Sequence, residues 1–150
     1  MENLRDVRGL RTDDGRIVRR AVLYRGETPR TPHAGRTGVA VWPPAVVVDL
    51  RTIAEAHLHG NGRHALDRPG TAVFSVPMGA SLAPALSATQ TMDVDLTGAY
   101  RHLTRDAADA IAAIVGIVAR APGPALVHCT AGKDRTGIVV AVLLRAAGVR

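Results

Sequence analysis

The sequence has one cysteine, Cys129, and one lysine, Lys133, among its 150 residues. A single cysteine excludes an internal disulfide, a redox dithiol and any multi-cysteine metal site. Aromatic residues make up only 3% of the chain, so Val, Leu, Ile and Ala must fill the core. No apolar run approaches the ~20 residues that a membrane span needs. The opening Met1-Glu2-Asn3-Leu4-Arg5-Asp6 has no hydrophobic segment of the signal-peptide kind, which makes the cytoplasm the default expectation. Internal repeats and low-complexity segments are absent too.

What is present describes one globular domain over residues 1–150. The chain is 47% hydrophobic and 21% charged with a mean hydropathy of +0.09. A folded monomer of this size buries about two-thirds of its extended-chain surface. The net charge is +6, and nine of the eighteen arginines lie within residues 1–36 against five acids there. A positive field favours anionic partners such as nucleic acid, phosphorylated proteins or acidic headgroups. Arginine bias equally describes solvated surface, and no helix-turn-helix pattern, finger spacing or pair of stacking aromatics points to nucleic acid.

Patterning predicts alternating strands and helices. Residues 16–24 are rich in β-formers after the Asp13-Asp14-Gly15 turn and read as one or two short strands. Residues 26–44 hold many breakers and allow at most a short helix around 33–40. Val46-Val47-Val48-Asp49-Leu50 is a strand covered on both faces, residues 57–70 a polar loop, and Thr71 to Val76 a further strand. The stretch 78–96 reads as irregular. From Thr97 apolar residues recur at helical spacing, predicting a helix of about 20 residues that ends before Pro122. Residues 125–128 form a short buried strand, and residues 136–147 an apolar helix. The fold class is α/β, with a central, largely parallel sheet flanked by helices.

The chemistry concentrates in His128-Cys129-Thr130-Ala131-Gly132-Lys133-Asp134-Arg135-Thr136-Gly137, between a buried strand and a helix. A loop in that position presents backbone N–H groups to an anion. Five residues separate Cys129 from Arg135, so a loop curled around a tetrahedral oxyanion sets the sulfur below the phosphorus while the guanidinium grips two oxygens. The arginine and the positive end of the helix favour the thiolate, which is the nucleophilic form. This is no Walker A loop, because Asp134 follows Gly132-Lys133 and the upstream glycine is missing. Nor do so many polar neighbours suit an inert core cysteine.

The segment resembles the signature of the cysteine-dependent phosphatases. Its fuller form is similar to the bacterial and fungal tyrosine-phosphatase branch that takes in the mycobacterial type B enzymes. Asn3-Leu4-Arg5-Asp6-Val7-Arg8-Gly9 with Val22-Leu23-Tyr24-Arg25, and Val48-Asp49-Leu50-Arg51-Thr52, resemble that branch's opening and central strand, so the likeness runs over residues 3–148. The resemblance implies a phosphatase-like fold with a phosphate-binding loop, and no cofactor or metal. It makes Cys129 the nucleophile and Arg135 the phosphate clamp, with Thr130, Ala131, Gly132 and Lys133 lining the phosphate site. Thr136 would hydrogen-bond the departing thiolate, His128 would support the cysteine from behind, and Asp134 would donate the proton. Lys133 is associated with inositide headgroups in this branch. The implied partner is a phosphorylated protein or peptide, with a phosphoinositide headgroup or dual specificity as the alternative. A catalytically inactive phosphate-binding module is the reading from another class.

Other candidates stand beside these. Asp67, Asp93 and Asp95 are alternative proton donors, although Asp93 and Asp95 suit a helix N-terminus and Asp49 suits a structural role at a strand end. His57, His59 and His64 lack ligand spacing and read as solvated loop residues, not as a zinc site. Arg5, Arg25 and Arg51 either line a phosphate-facing mouth or pair with Asp6, Glu27 and Asp49. Gly26 stands where the branch has serine. Relatives continue beyond the last helix, so the sequence is expected to lack their C-terminal helices and to leave an apolar surface on Ile138 to Leu144 exposed or covered by a partner.

Overall fold

The computed structural model describes residues 1, 3–33, 39–58, 63–79, 98, 101 and 104–150. The expected irregular stretch after Gly79, Asp93, Asp95, His59 and most of the short helix around 33–40 lie outside the described residues.

Among the described residues five strands form one sheet: β1 (Arg5–Asp6), β2 (Leu23–Gly26), β3 (Val46–Asp49), β4 (Ala72–Ser75) and β5 (Ala125–His128), in the spatial order β1-β2-β5-β3-β4. β5 runs parallel to both neighbours, with Gly26 and Asp49 flanking His128 in register. β4 is parallel to β3, whereas β1 pairs antiparallel with β2. The sheet is therefore mixed, not purely parallel, because a two-residue edge strand closes one side. Every residue of β3 and β5 is buried. That burial on both faces is why these segments read as continuous apolar runs. The β2 segment begins later than patterning predicts. Residues 16–18 instead pair with 9–11 around the Asp13-Asp14-Gly15 turn, where Gly15 takes a positive φ of 82°.

Alternating side chains feed two cores. On one face Val46, Val48, Leu23, Val127 and Cys129 pack with Ile111, Ile114, Val139 and Val140. The last four come from helices α2 (Ala108–Ala119) and α3 (Asp134–Ala146). On the other face Tyr24, Val47, Leu66 and Leu126 form a smaller cluster. The helix expected from Thr97 is interrupted: residues 104–106 are helical, the buried Ala107 leaves helical geometry (φ −100°, ψ 13°), and α2 follows. α3 starts two residues earlier than predicted, its first turn closed by Gly137 N–H donating to Lys133 O at 2.7 Å. The apolar stripe from Ile138 to Leu144 is not left bare. Val139 and Val140 are buried, and Ile138, Val142, Leu143 and Leu144 pack against the core.

A short helix, α1 (Ile53–Leu58), follows β3. Its start is a capping box, in which Thr52 Oγ1 accepts from Glu55 N–H at 3.2 Å and Glu55 Oε2 accepts from Thr52 N–H at 2.9 Å. The polar loop expected over 57–70 turns inward in part, for His64 and Leu66 are both buried. Among the described residues no helix is long and apolar enough to cross a membrane.

Candidate active site

The central strand delivers His128 and Cys129 to the carboxyl end of the sheet, the usual place for a ligand in an α/β fold. Residues 129–133 then bend into the N-terminus of α3. Gly132 makes the bend, with φ +66°, and a Cβ there would collide with the backbone of Gly26 and Glu27. Only glycine satisfies both demands. Gly26 itself, found where serine is expected, lies so close to the Met1 side chain that a Cβ would force Met1 aside.

Five successive carbonyls of this loop are held from outside. Cys129 O accepts from Thr28 Oγ1 at 2.9 Å and from His128 Nδ1 at 3.2 Å. Thr130 O accepts from Thr28 N–H, Ala131 O from Asn3 Nδ2, and Gly132 O and Lys133 O from Arg25 Nη2 at 3.0 and 3.2 Å. A trans peptide directs its N–H opposite to its C=O. With these carbonyls turned out onto donors, the amides of residues 130–134 are turned toward the inside of the bend. Such a run of converging N–H groups, ending at a helix N-terminus, attracts an anion.

Arg135, in the first turn of α3, is almost wholly buried and is gripped end-on by Glu55. Nη2 donates to Oε1 at 2.6 Å and Nη1 to Oε2 at 2.8 Å, while Nη1 also reaches Leu50 O and Met78 O at 3.3 Å. Burial works against the guanidinium charge, but Glu55, and then Cys129, outweigh it and raise the arginine's affinity for its proton. Conversely, Arg135 holds the Glu55 carboxyl far below the usual range, helped by Thr52 and Thr130, whose Oγ1 donates to Oε1 at 2.8 Å. The edge of Arg135 formed by Nε and the second Nη2 hydrogen is left over by this grip. Thr136 is fully buried, and among the described residues its hydroxyl has no hydrogen-bond partner. Lys133 is exposed, and Asp134 is half-buried at the rim.

Behind the cysteine lies a proton-ordered chain. Leu66 N–H donates to His64 Nδ1 at 3.1 Å, which leaves the His64 proton on Nε2. That nitrogen meets His128 Nε2 at 2.8 Å, so His128 carries its own proton on Nδ1, facing Cys129 O. Burial holds His128 neutral, with its pKa lowered to about 4, and burial lowers that of His64 as well. Asp49, His64 and His128 bring three ligand-type atoms within 4.8 Å of one another. Their donor roles do not suit a cation: metal on His64 Nε2 would send its proton to Nδ1, which already accepts from Leu66. Asp49 is engaged by Arg51 through Nε at 2.9 and 3.1 Å and Nη2 at 2.6 Å.

Two of the questioned arginines thus have structural partners: Arg51 pairs with Asp49, and Arg25 braces the loop. Arg5 instead joins Arg25 along a cavity. Asp67 is exposed and pairs with Arg63 at 3.5 Å, and His57 is exposed with Nδ1 on Ile53 O of its own helix. Sequence reasoning missed Glu55 and His64. The Thr52-x-x-Glu55 pattern signals a cap, but nothing local signals the reach to Arg135.

A comparison with known families matches the tyrosine phosphatase family over residues 1–150. The chain belongs to the tyrosine phosphatase family. Among curated relatives, it is 32% identical to a Cupriavidus necator protein provisionally named a tyrosine-protein phosphatase, over 99% of this chain and 56% of that one. It is also 32% identical to the triple specificity protein phosphatase PtpB of Mycobacterium tuberculosis, over 98% of this chain and 62% of that protein. The chain therefore spans about three-fifths of the length of these relatives. Membership in this family fits the α/β fold and the strand–loop–helix that carries Cys129 and Arg135.

Proposed function

We propose that this chain hydrolyses phosphate monoesters through a phosphocysteine intermediate, with phosphotyrosine in a protein or peptide as the preferred substrate. The observation that carries this reading is the set of five outward-held carbonyls, which turns the loop amides inward between Cys129 and the Glu55-braced Arg135. In the first step the Cys129 thiolate forms an S–P bond as the ester P–O bond breaks. Equatorial oxygens rest on the amides of residues 130–134 and on the open edge of Arg135. Asp134 gives its proton to the leaving oxygen. In the second step Asp134 takes a proton from water as the water oxygen attacks phosphorus, and the thiolate leaves with Thr136 as its hydrogen-bond donor. The chain Leu66–His64–His128 supports the cysteine by fixing its carbonyl.

Hydrolysis of a small aryl phosphate in the presence of a chelator tests this mechanism. Cys129→Ser should abolish turnover, and a phosphocysteine should be trapped on the wild-type protein. Undiminished turnover by the variant would sink the mechanism, and phosphate binding without turnover by the wild type would favour an inactive binding module. Proton donation is tested by leaving-group dependence. Asp134→Asn should slow a phosphoserine or inositide ester about 10²–10⁴-fold and a nitrophenyl ester far less. If Asp67→Asn reproduces that asymmetry instead, the donor lies on the outer loop. A phosphoinositide headgroup is the alternative substrate, favoured by the exposed Lys133 at the rim. Lys133→Gln would then depress inositide turnover more than aryl phosphate turnover, and equal losses would remove the lipid reading.

A further inference from the structure

Away from the candidate active site, one exposed element combines unmatched cations with bare aliphatic side chains. It is the hairpin between β1 and β2, in which residues 9–11 pair with 16–18 around the turn at Gly15. We propose that this hairpin docks the protein onto a membrane surface of anionic phospholipid. Its arginines meet the headgroup phosphates, and its aliphatic side chains enter the upper acyl region. This docking surface is independent of the phosphatase reading.

The acids around the hairpin are already engaged within the chain. Asp14 pairs with Arg16 at 2.6 Å, Asp13 pairs with Arg150, and Asp6 accepts from Ala21 N–H at 3.1 Å. Arg8, Arg11, Arg19 and Arg20 are exposed and make no ion pair among the described residues. Their neighbours distinguish a membrane from other anions. Arg11 and Ile17 stand directly opposite each other in the ladder, so their side chains share a face. The half-buried Thr12 and Val18 take the other face, and Thr12 bridges to Val149 of the body. Ile17 is 52% exposed, and Leu10 and Val22 are each 40% exposed. Bare aliphatic chains beside guanidinium groups suit the boundary between headgroups and acyl chains, where each finds its own medium. A nucleic acid would use the arginines alone, since residues 8–22 offer no aromatic ring for a base to stack on.

Topology sets the orientation. The hairpin leads into β2 at Leu23, whereas Cys129 follows His128, which sits beside Gly26 at the other end of the strands. A membrane on the hairpin therefore leaves the Cys129 end of the sheet facing solution.

The test is co-sedimentation of the full chain with vesicles of phosphatidylcholine alone or of equal parts phosphatidylcholine and phosphatidylserine. Binding should be confined to the anionic vesicles and should weaken as salt rises. An arginine near such a surface contributes about fivefold in affinity, so Arg11→Gln and Arg19→Gln should each weaken binding by about that factor. Ile17→Ser should weaken it as well, by the same factor at low and moderate salt. All three positions are exposed, and urea unfolding checks that the variants fold. Absence of binding, equal binding to both vesicles, or binding indifferent to the arginine changes would overturn the proposal. Binding that depends on the arginines but not on Ile17 would overturn it too, because the surface would then serve an acidic protein or a nucleic acid. Phenyl phosphate turnover by vesicle-bound protein should match that in solution, and its loss on vesicles would overturn the docking geometry. Vesicle binding by a protein that shows no turnover anywhere refutes the phosphatase reading and leaves the membrane surface standing.

Discussion

Two arginine–carboxylate pairs involve residues at and just beyond the end of β3, and they are built for different ends. Arg51 and Asp49 are two residues apart and make a closed unit. The backbone N–H, Nε and Nη2 of Arg51 all fall on one carboxylate, and both side chains are less than 10% exposed. Arg135 and Glu55 are 80 positions apart and join α3 to α1, with Glu55 24% exposed. Here the carboxylate takes the guanidinium end-on and leaves a second edge over. A closed pair can only hold the fold. An open pair holds a charge in place for something else.

If that contrast is right, the two pairs should break in different measurements. The largest effect falls on the closed pair. Arg51→Gln leaves Asp49 buried and uncompensated, and should cost about 3–5 kcal/mol of stability in urea unfolding. Aryl phosphate turnover measured well below the melting temperature should change little. Arg135→Lys should do the opposite. A lysine keeps the charge but loses the planar fork, so turnover should fall on the order of 10²–10³-fold. A variant of Arg51 that is stable yet inactive would erase the distinction.

Glu55→Gln sharpens it further. The amide still accepts from Arg135 but loses its charge, and a charge-assisted bond contributes roughly 1.5–3 kcal/mol. Turnover should fall about 10–100-fold through kcat, with the shortfall partly restored by Glu55→Asp only if α1 can approach. A stability loss with kcat intact would make Glu55 a mere helix cap.

The same contrast explains what could be read from the amino-acid order. The β3 and β5 strands announce themselves because burial on both faces demands uninterrupted apolar residues. The loop from Cys129 to Arg135 is likewise local, so its chemistry is written in adjacent letters, and the Arg51–Asp49 pair is one of two local alternatives. Glu55 and His64 act across long sequence separations, and each sits in a segment whose composition looks solvated. The interruption at Ala107 carries no signal, since alanine is the best helix former. The antiparallel β1 is too short for any period to show.

The smallest effect concerns the histidine chain, and it separates the supporting side of the cysteine from the chemical side by pH. His128 is neutral in the folded protein with a pKa lowered to about 4, whereas in the unfolded chain it returns to about 6.5. Between those values the unfolded state binds a proton that the folded state refuses. Stability is therefore fully present above pH 6.5 and falls as the pH drops toward 4. Between pH 7.5 and pH 5 the loss from His128 alone is about 2 kcal/mol, and His64, shifted in the same direction, adds to it. Glu55 contributes little in this window, because in the unfolded chain its carboxylate begins to protonate only as the pH nears its ordinary value. Urea unfolding at the two pH values should show this slope in the wild type. In His128→Gln the slope should flatten by about 2 kcal/mol, since glutamine can still donate to Cys129 O but does not titrate. A slope that persists unchanged in His128→Gln would mean that the proton goes elsewhere and that burial does not hold the His128 imidazole neutral.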